Sequence, residues 1–296
     1  MTRTEPLVRI ENATKVYESR GWRNAGPAPV VNGVSLDIAR GEIVGLVGES
    51  GSGKSTLGRM VLRLETLTGG RLWFDGQEIT NASRNEMRPL RKAMQVVFQD
   101  PYAALSPRMR VGDFVAEPLC VHSGRNQRER EERVAELFST VGLDPALMRR
   151  FPHEFSGGQR QRICIARAIA SDPSFIVADE PITALDVSIQ AQIVNLFKEL
   201  QQRMGLTYLF IAHDLSMVRY LCDRVAVMLR GRIVEIGPAA SVFGNPLHPY
   251  TQALLSAAPV PDPDVERRRT RLIYDPERYP AGEALEERAP GHFLLV

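Results

Sequence analysis

The hydrophobic positions fall into three kinds of run, and their order along the chain sketches an α/β fold. Short apolar blocks recur at Ile43-Val44-Gly45-Leu46-Val47, at Met94-Gln95-Val96-Val97-Phe98-Gln99, at Phe175-Ile176-Val177-Ala178 and over Leu206–Ala212. Blocks of that length fit strands covered on both faces of a parallel sheet. Alternating stretches come at residues 6–17, which fit an edge strand, and at Val30–Ile38, where Val31, Val34, Leu36 and Ile38 fall mostly on one face. Gly70–Phe74, closed by Asp75-Gly76, and the pair Arg224–Leu229 and Arg232–Glu235 around Gly231 read as hairpin strands. Helical spacing begins after Lys54 with Leu57-Gly58-Arg59-Met60-Val61-Leu62. It returns over Arg128–Leu143, where Val134, Leu137, Phe138 and Val141 sit at i, i+3, i+4 and i+7. Further helices are expected at Arg160–Ala170, Ser188–Met204 and Leu215–Cys222.

The punctuation divides the chain. Gly21, Gly26, Pro27 and Pro29 make 18–29 a loop. Residues 100–155 lose the strand-like blocks and gain helical ones, which predicts a helical insertion between two parts of an α/β core. From Pro259 onward the chain is rich in Pro, Arg and Glu, and a loosely packed tail is expected. There is no internal repeat.

Composition narrows the class. With 44% hydrophobic and 24% charged residues, the chain fits a soluble globular protein with ample core. A formal net charge of +2 gives no reason to expect nucleic acid as a partner. Cys120, Cys164 and Cys222 lie far apart, as expected of small thiols in a reducing compartment. No apolar run approaches the ~18 residues of a spanning helix, so the chain is expected to lie outside the bilayer, though able to dock on it.

The chemistry starts where the first apolar block ends. Gly48-Glu49-Ser50-Gly51-Ser52-Gly53-Lys54-Ser55-Thr56 fits the phosphate-cradling pattern G-x-x-x-x-G-K-[ST] between a strand and a helix. Glycines let the backbone wrap close to phosphate, and the helix N-terminus adds partial positive charge. Lys54 would reach the β- and γ-phosphates and the Ser55 hydroxyl would bind Mg²⁺. Three other apolar blocks also end in polar groups, at Gln99, at Asp179-Glu180 and at His213. Ligands bind at the carboxyl ends of strands in open α/β sheets, so the four ends are expected to form one site. Ser55, Asp179 and the Gln99 side-chain oxygen are the hard-oxygen candidates for Mg²⁺. Glu180 is a second carboxylate, suited to orient or deprotonate an attacking water. His213 could contact and sense the γ-phosphate.

Ser156-Gly157-Gly158-Gln159 has the same phosphate-shaped character, a hydroxyl and two glycines at a helix start, with Ser156 a candidate N-cap. With one such loop already in the chain, a second points to the nucleotide of a neighbour. Tyr17, at the end of the first strand, is either a half-buried strand aromatic or a stacking partner for a nucleobase.

Together these residues resemble the ATP-binding-cassette family. The loop at 48–56, Gln99, Phe155-Ser156-Gly157-Gly158-Gln159, Asp179-Glu180, Ala184-Leu185-Asp186 and His213 stand in the family's order and at family-like spacing over about residues 6–258. The resemblance implies a P-loop ATPase with a mixed-sheet core, an antiparallel β-subdomain and a helical subdomain at about 100–160. It implies ATP and Mg²⁺, and a head-to-tail dimer with itself or a paralogous ATPase. Each ATP would lie between one loop and the other subunit's Ser156–Gln159 element. Tyr17 becomes the adenine-stacking aromatic and Asp186 an inter-subunit contact. Phe155 stands where the family usually has Leu.

Within the family the chain looks like the ATPases of oligopeptide/dipeptide importers, nearer the second of the usual pair. Phe98-Gln99-Asp100-Pro101-Tyr102, Ser106-Pro107-Arg108-Met109, Pro152-His153-Glu154, Ala184-Leu185-Asp186-Val187-Ser188-Ile189-Gln190, His248-Pro249-Tyr250-Thr251 and Pro259–Asp264 carry that likeness. It implies two transmembrane permease subunits, an associated solute-binding protein and a peripheral place on the cytoplasmic face of the inner membrane. Residues 99–110 would receive a short permease helix. Related importers take metal chelates, glutathione or oligosaccharides instead. Cassette ATPases acting on ribosomes or DNA carry two cassettes or long coiled coils, and a simple P-loop kinase or GTPase leaves Ser156–Gln159 and His213 unexplained. The subfamily's cysteine-rich C-terminal segment can hold an iron–sulfur cluster; no cysteine follows Cys222, so none is expected here.

Overall fold

The structure, a computed structural model, describes residues 5–17, 28–183, 185–258, 271–276, 278, 282 and 284–296. Most of the loop expected at 18–29, Ala184 and the Pro259–Asp264 stretch lie outside the described residues. The chain divides into two compact units, one of Met1–Thr80 with Phe210–Val296 and one of Asn81–Leu209.

The first unit carries two sheets. An antiparallel sheet has the order β2-β1-β4-β5, from β1 (Val8–Lys15), β2 (Val31–Ile38), β4 (Gly69–Phe74) and β5 (Gln77–Glu78). In β2 the residues Val31, Val34, Leu36 and Ile38 are buried, the face that alternation predicted. The expectation that β1 lies at an edge is corrected. It pairs with β2 on one side and β4 on the other, Ile10 standing opposite both Leu36 and Leu72. Alternation reports that one face is covered; it does not report whether one or both edges are bonded.

The second sheet of this unit is mixed. β3 (Ile43–Val47) runs parallel to β9 (Arg224–Leu229), and β9 pairs antiparallel with β10 (Arg232–Pro238). All five residues of β3 are buried, as its apolar block requires. Arg230 and Gly231 turn β9 into β10 with φ of 46° and 84°, the paired positive values of a tight hairpin turn. The loosely packed tail expected at 259–296 is corrected over its last part. β11 (Leu285–Ala289) and β12 (His292–Leu295) form a hairpin, and β12 pairs antiparallel with β10. Its alternation is short and its outer strand is polar, so composition alone concealed it.

Among the described residues this unit carries the helices α1 (Lys54–Val61), α8 (Leu215–Leu221), α9 (Ala239–Gly244) and α10 (Pro249–Ala257). Gly45 of β3 is where α8 comes close. A Cβ there would lie 2.7 Å from Val218 Cγ1 and 2.9 Å from Cys222 Sγ. Gly45→Ala is therefore expected to cost about 1–3 kcal/mol by overpacking. A lowered melting temperature would register it; an unchanged one would mean that α8 shifts without cost.

In the second unit β6 (Met94–Val97) runs parallel to β7 (Phe175–Asp179). Before β6 comes α2 (Arg84–Ala93), started by a Ser83/Glu86 capping box. Between β6 and β7 the described regular elements are all helical: α3 (Pro101–Ala104), α4 (Val111–His122), α5 (Gln127–Thr140), two short 3-10 turns and α6 (Gly157–Ile169). The apolar stripe of α5 is buried at Val134, Leu137 and Phe138. α7 (Val187–Met204) ends on left-handed Gly205, and β8 (Thr207–Ile211) passes from this unit into the first. Among the described residues no helix is long and apolar enough to cross a membrane.

Candidate active site

The phosphate loop follows β3 directly. Gly48 (φ 148°) and Gly53 (φ 104°) take backbone conformations that suit glycine, and neither has room for a side chain. A Cβ on Gly48 would lie 2.1 Å from the Met228 carbonyl oxygen, and one on Gly53 2.4 Å from that of Val30. Gly51 (φ 80°) instead faces open space on the loop's outer side. α1 begins at Lys54, so its first amides emerge at the loop. Lys54 is only 4% exposed, and its ammonium donates to the carbonyls of Gly48 and Glu49, both at 2.8 Å. Ser52 Oγ lies 3.5 Å away. A buried cation resting on carbonyl dipoles is suited to take up an anion.

Two other candidates belong to the same unit. Tyr17 is exposed, and the Lys15 ammonium sits 4.9 Å from the centre of its ring. Lys15 itself is anchored on the Thr66 carbonyl at 2.8 Å and on Glu65 at 3.2 Å. His213 is exposed two residues past β8, next to Asp214, which caps α8 through the Ser216 amide at 2.9 Å.

The second unit holds the remaining candidates. Asp179 is the buried last residue of β7, and Glu180 follows it with φ 47°. A left-handed backbone at a residue with a side chain costs about 1–2 kcal/mol. It turns the chain sharply before Pro181. The Glu180 carboxylate accepts hydrogen bonds from Gln99 Nε2 at 3.0 Å and Thr183 Oγ1 at 3.3 Å. Two of the strand-end residues, Gln99 beyond β6 and Glu180 beyond β7, thus meet directly.

Ser156 is the N-cap of α6 in a full capping box. Its hydroxyl accepts from Gln159 N at 3.3 Å while Gln159 Oε1 accepts from Ser156 N at 3.0 Å. The small residues inside the box have a packing reason as well. A Cβ on Gly158 would lie 2.5 Å from Ile189 Cγ2, and one on Gly157 3.4 Å from Leu185 Cδ2. The head of α6 therefore packs against the head of α7, where Asp186 is the N-cap with no hydrogen bond from its side chain to the helix. Phe155, in the unusual position, is buried.

The residue types named for magnesium are of the right chemistry. Ser55, Gln99 and Asp179 offer hydroxyl, amide and carboxylate oxygens, and Mg²⁺ binds through few protein groups with phosphate and water completing its shell. Among the described residues no cluster of three or more His, Cys, Asp and Glu stands ready to hold a metal. The two buried thiols are chemically quiet: burial pushes Cys164 up to about 12 and Cys222 higher still.

A family model for the ABC transporter matches residues 31–183, just over half of the chain. The chain belongs to the ABC transporter family. It is an ABC-type ATPase, with the mixed-sheet cassette fold. A second model, for the C-terminal region of oligopeptide/dipeptide transporters, matches residues 234–290. The chain is 56% identical to the oligopeptide transport ATP-binding protein OppF of Bacillus subtilis (strain 168), covering 99% of this chain and 96% of that one. It is 51% identical to the dipeptide transport ATP-binding protein DppF of Lactococcus lactis subsp. cremoris, covering 100% and 95%. Among solved structures the ABC cassette resembles MJ0796 in a dimeric post-hydrolysis state bound to ADP and Pi. The TM-score is 0.70 at 29% identity, over 78% of this chain and 98% of that one. CbiO1 of Clostridium perfringens, part of the transporter complex cbiONQ, gives a TM-score of 0.71 at 28% identity, over 82% and 92%.

Sequence reasoning did not find a role for Tyr250 of the ABC cassette. Its hydroxyl accepts a hydrogen bond from Glu49 N in the phosphate loop at 2.9 Å. Burial pushes that hydroxyl up to about 12, so it makes the bond as a neutral phenol. His248-Pro249-Tyr250-Thr251 marks the subfamily in sequence. The contact joins residues 201 positions apart, and no local pattern reports it.

Proposed function

We propose that the chain is the ATP-binding and hydrolysing subunit that powers a peptide importer. The observation that carries this reading is the high identity to peptide-importer ATPases along the full length, the C-terminal region at 234–290 included. In this reading the loop Gly48–Thr56 cradles the β- and γ-phosphates of ATP, with Lys54 as the counter-charge. Ser55, Gln99 and Asp179 would hold Mg²⁺, which supplies charge neutralisation on the phosphate oxygens. Glu180 orients and deprotonates the attacking water. Gln99, bonded to Glu180, fixes that carboxylate before the nucleotide arrives. His213 senses the γ-phosphate. Tyr17, with Lys15 against its ring, offers the exposed aromatic surface on which adenine stacks.

The cassette works as a head-to-tail dimer with itself or a paralogous ATPase. Ser156-Gly157-Gly158-Gln159 of one subunit closes over the nucleotide of the other. The Ser156 hydroxyl accepts its capping bond through a lone pair, which leaves its proton for a phosphate oxygen. Asp186 contributes an inter-subunit contact. Two transmembrane permeases complete the complex at the cytoplasmic face of the inner membrane, supplied by a solute-binding protein. The surface at 99–110 receives a permease helix. Phe98 and Tyr102 are exposed there, Tyr102 being 62% exposed and set over the Arg160 guanidinium at 4.0 Å.

Reconstitution tests the reading. The chain assembled with its permeases and binding protein is expected to hydrolyse ATP faster when the binding protein is loaded with peptide. A rate that ignores peptide and responds to another solute class would overturn the peptide assignment.

A further inference from the structure

Tyr250 lies at the start of α10, and α10 is fixed by a chain of buried and part-buried hydrogen bonds. The Glu235 carboxylate, fully buried on β10, accepts from Leu247 N and His248 N, each at 2.9 Å. It also contacts His292 Nε2 of β12 at 2.7 Å. His248 then caps α10, its Nδ1 accepting from Tyr250 N at 3.0 Å. Burial holds the His248 imidazole below its ordinary range against the pull of Glu235, which keeps the Nδ1 lone pair in place. The Tyr250 ring is 2% exposed and meets Tyr274 edge-on, 5.5 Å between centres.

What this segment grips is a single peptide plane. The carbonyl of Gly48 and the N–H of Glu49 belong to the same planar unit, and its two ends cannot turn independently. Lys54 Nζ donates to that carbonyl at 2.8 Å, and Tyr250 Oη accepts from that N–H at 2.9 Å. The next plane is held too, the Glu49 carbonyl accepting from Lys54 Nζ at 2.8 Å and from Ser52 N at 3.2 Å, but Tyr250 is what reaches the loop from the C-terminal region. Glu49, Ser50, Gly51 and Ser52 border a cavity of about 570 Å³ together with Arg230 and Leu254.

We propose that Tyr250 is a positioning residue for ATP binding: through the Gly48–Glu49 peptide it sets where Lys54 is held, and so ties nucleotide affinity to the C-terminal region. Tyr250 touches no nucleotide in this account. It acts through Lys54, and the proposal rests on the reading of Gly48–Thr56 as the phosphate site. Removing the hydroxyl lets the plane rotate about Gly48, and the ammonium loses its fixed starting point.

Tyr250→Phe keeps the ring and removes only the oxygen. In the full-length chain it is expected to raise the Kd for MgATP, and the KM of hydrolysis, about three- to tenfold, the size of one hydrogen bond. The kcat is expected to stay within about twofold, because the lost restraint acts on binding. Amide exchange in the peptide spanning Gly48 and Glu49 is expected to speed up by about tenfold, with α6 unaffected. A merely structural Tyr250 would lower the melting temperature and leave this split and this local exchange unchanged. Unaltered Kd and unaltered exchange at Glu49 would overturn the proposal. Wild-type chain that fails to bind MgATP would sink the phosphate reading instead, and the exchange measurement, which needs no nucleotide, would still judge the tie.

Discussion

Glu180→Gln is expected to slow ATP hydrolysis by about 10²–10⁴-fold, the contribution of a positioned general base. The substitution is nearly isosteric. Glu180 stands at a sharp left-handed turn after β7 and accepts from Gln99 and Thr183. An amide oxygen in its place can still accept one of those bonds, so the fold and MgATP binding should persist. What disappears is a carboxylate able to take a proton from water. Single-turnover hydrolysis measures the rate and gel filtration the consequence: with binding intact and cleavage blocked, the variant should accumulate as an ATP-bound dimer. Hydrolysis at the wild-type rate would remove Glu180 from the role of base.

The second large effect is expected from Lys54→Ala. Deleting a buried ammonium that rests on the Gly48 and Glu49 carbonyls removes a donor from both, the Glu49 carbonyl keeping the bond from Ser52 N. It also removes the proposed counter-charge of the phosphates, and loss of one such transition-state group costs about 10²–10³ in turnover. The informative measurement is made on mixed dimers. A Lys54→Ala subunit keeps its own Ser156–Gln159 element, so it should still complete the site built on a wild-type partner's loop. Mixed dimers are expected to keep one working site, whereas pure variant dimers lose both. If a wild-type subunit is equally active alone, the half-site account fails.

Some of this was legible residue by residue. The apolar blocks of β3, β7 and β8 are buried along their whole length, as blocks without polar interruption must be. The phosphate loop was readable because its glycines at 48, 51 and 53 answer a local demand, a positive φ at each. The capping box of α6 was half read. Ser156 stood out as an N-cap, while Gln159 three residues on, its reciprocal partner, was seen only as part of a phosphate element. The rest depends on distant pairing. The place of β1 within its sheet is decided by β4, some sixty residues later. The terminal hairpin is decided by β10. Tyr250 reveals itself only through Glu49. No window of neighbouring residues contains such information.

That last separation also bears on how the molecule is made. The phosphate loop emerges from the ribosome early, yet Met228, Glu235 and Tyr250, which shape and brace it, follow far behind, Tyr250 by 201 positions. At about 5–20 residues per second that is a delay of roughly 10–40 s. The intervening unit, Asn81–Leu209, is continuous in sequence and is fully made before β9 begins. The first unit is not, since its sheet lacks β9 and β10 until then. Nascent or prematurely ended chains would therefore expose the bare flank of β3, a target for chaperones and proteases, and bind ATP poorly.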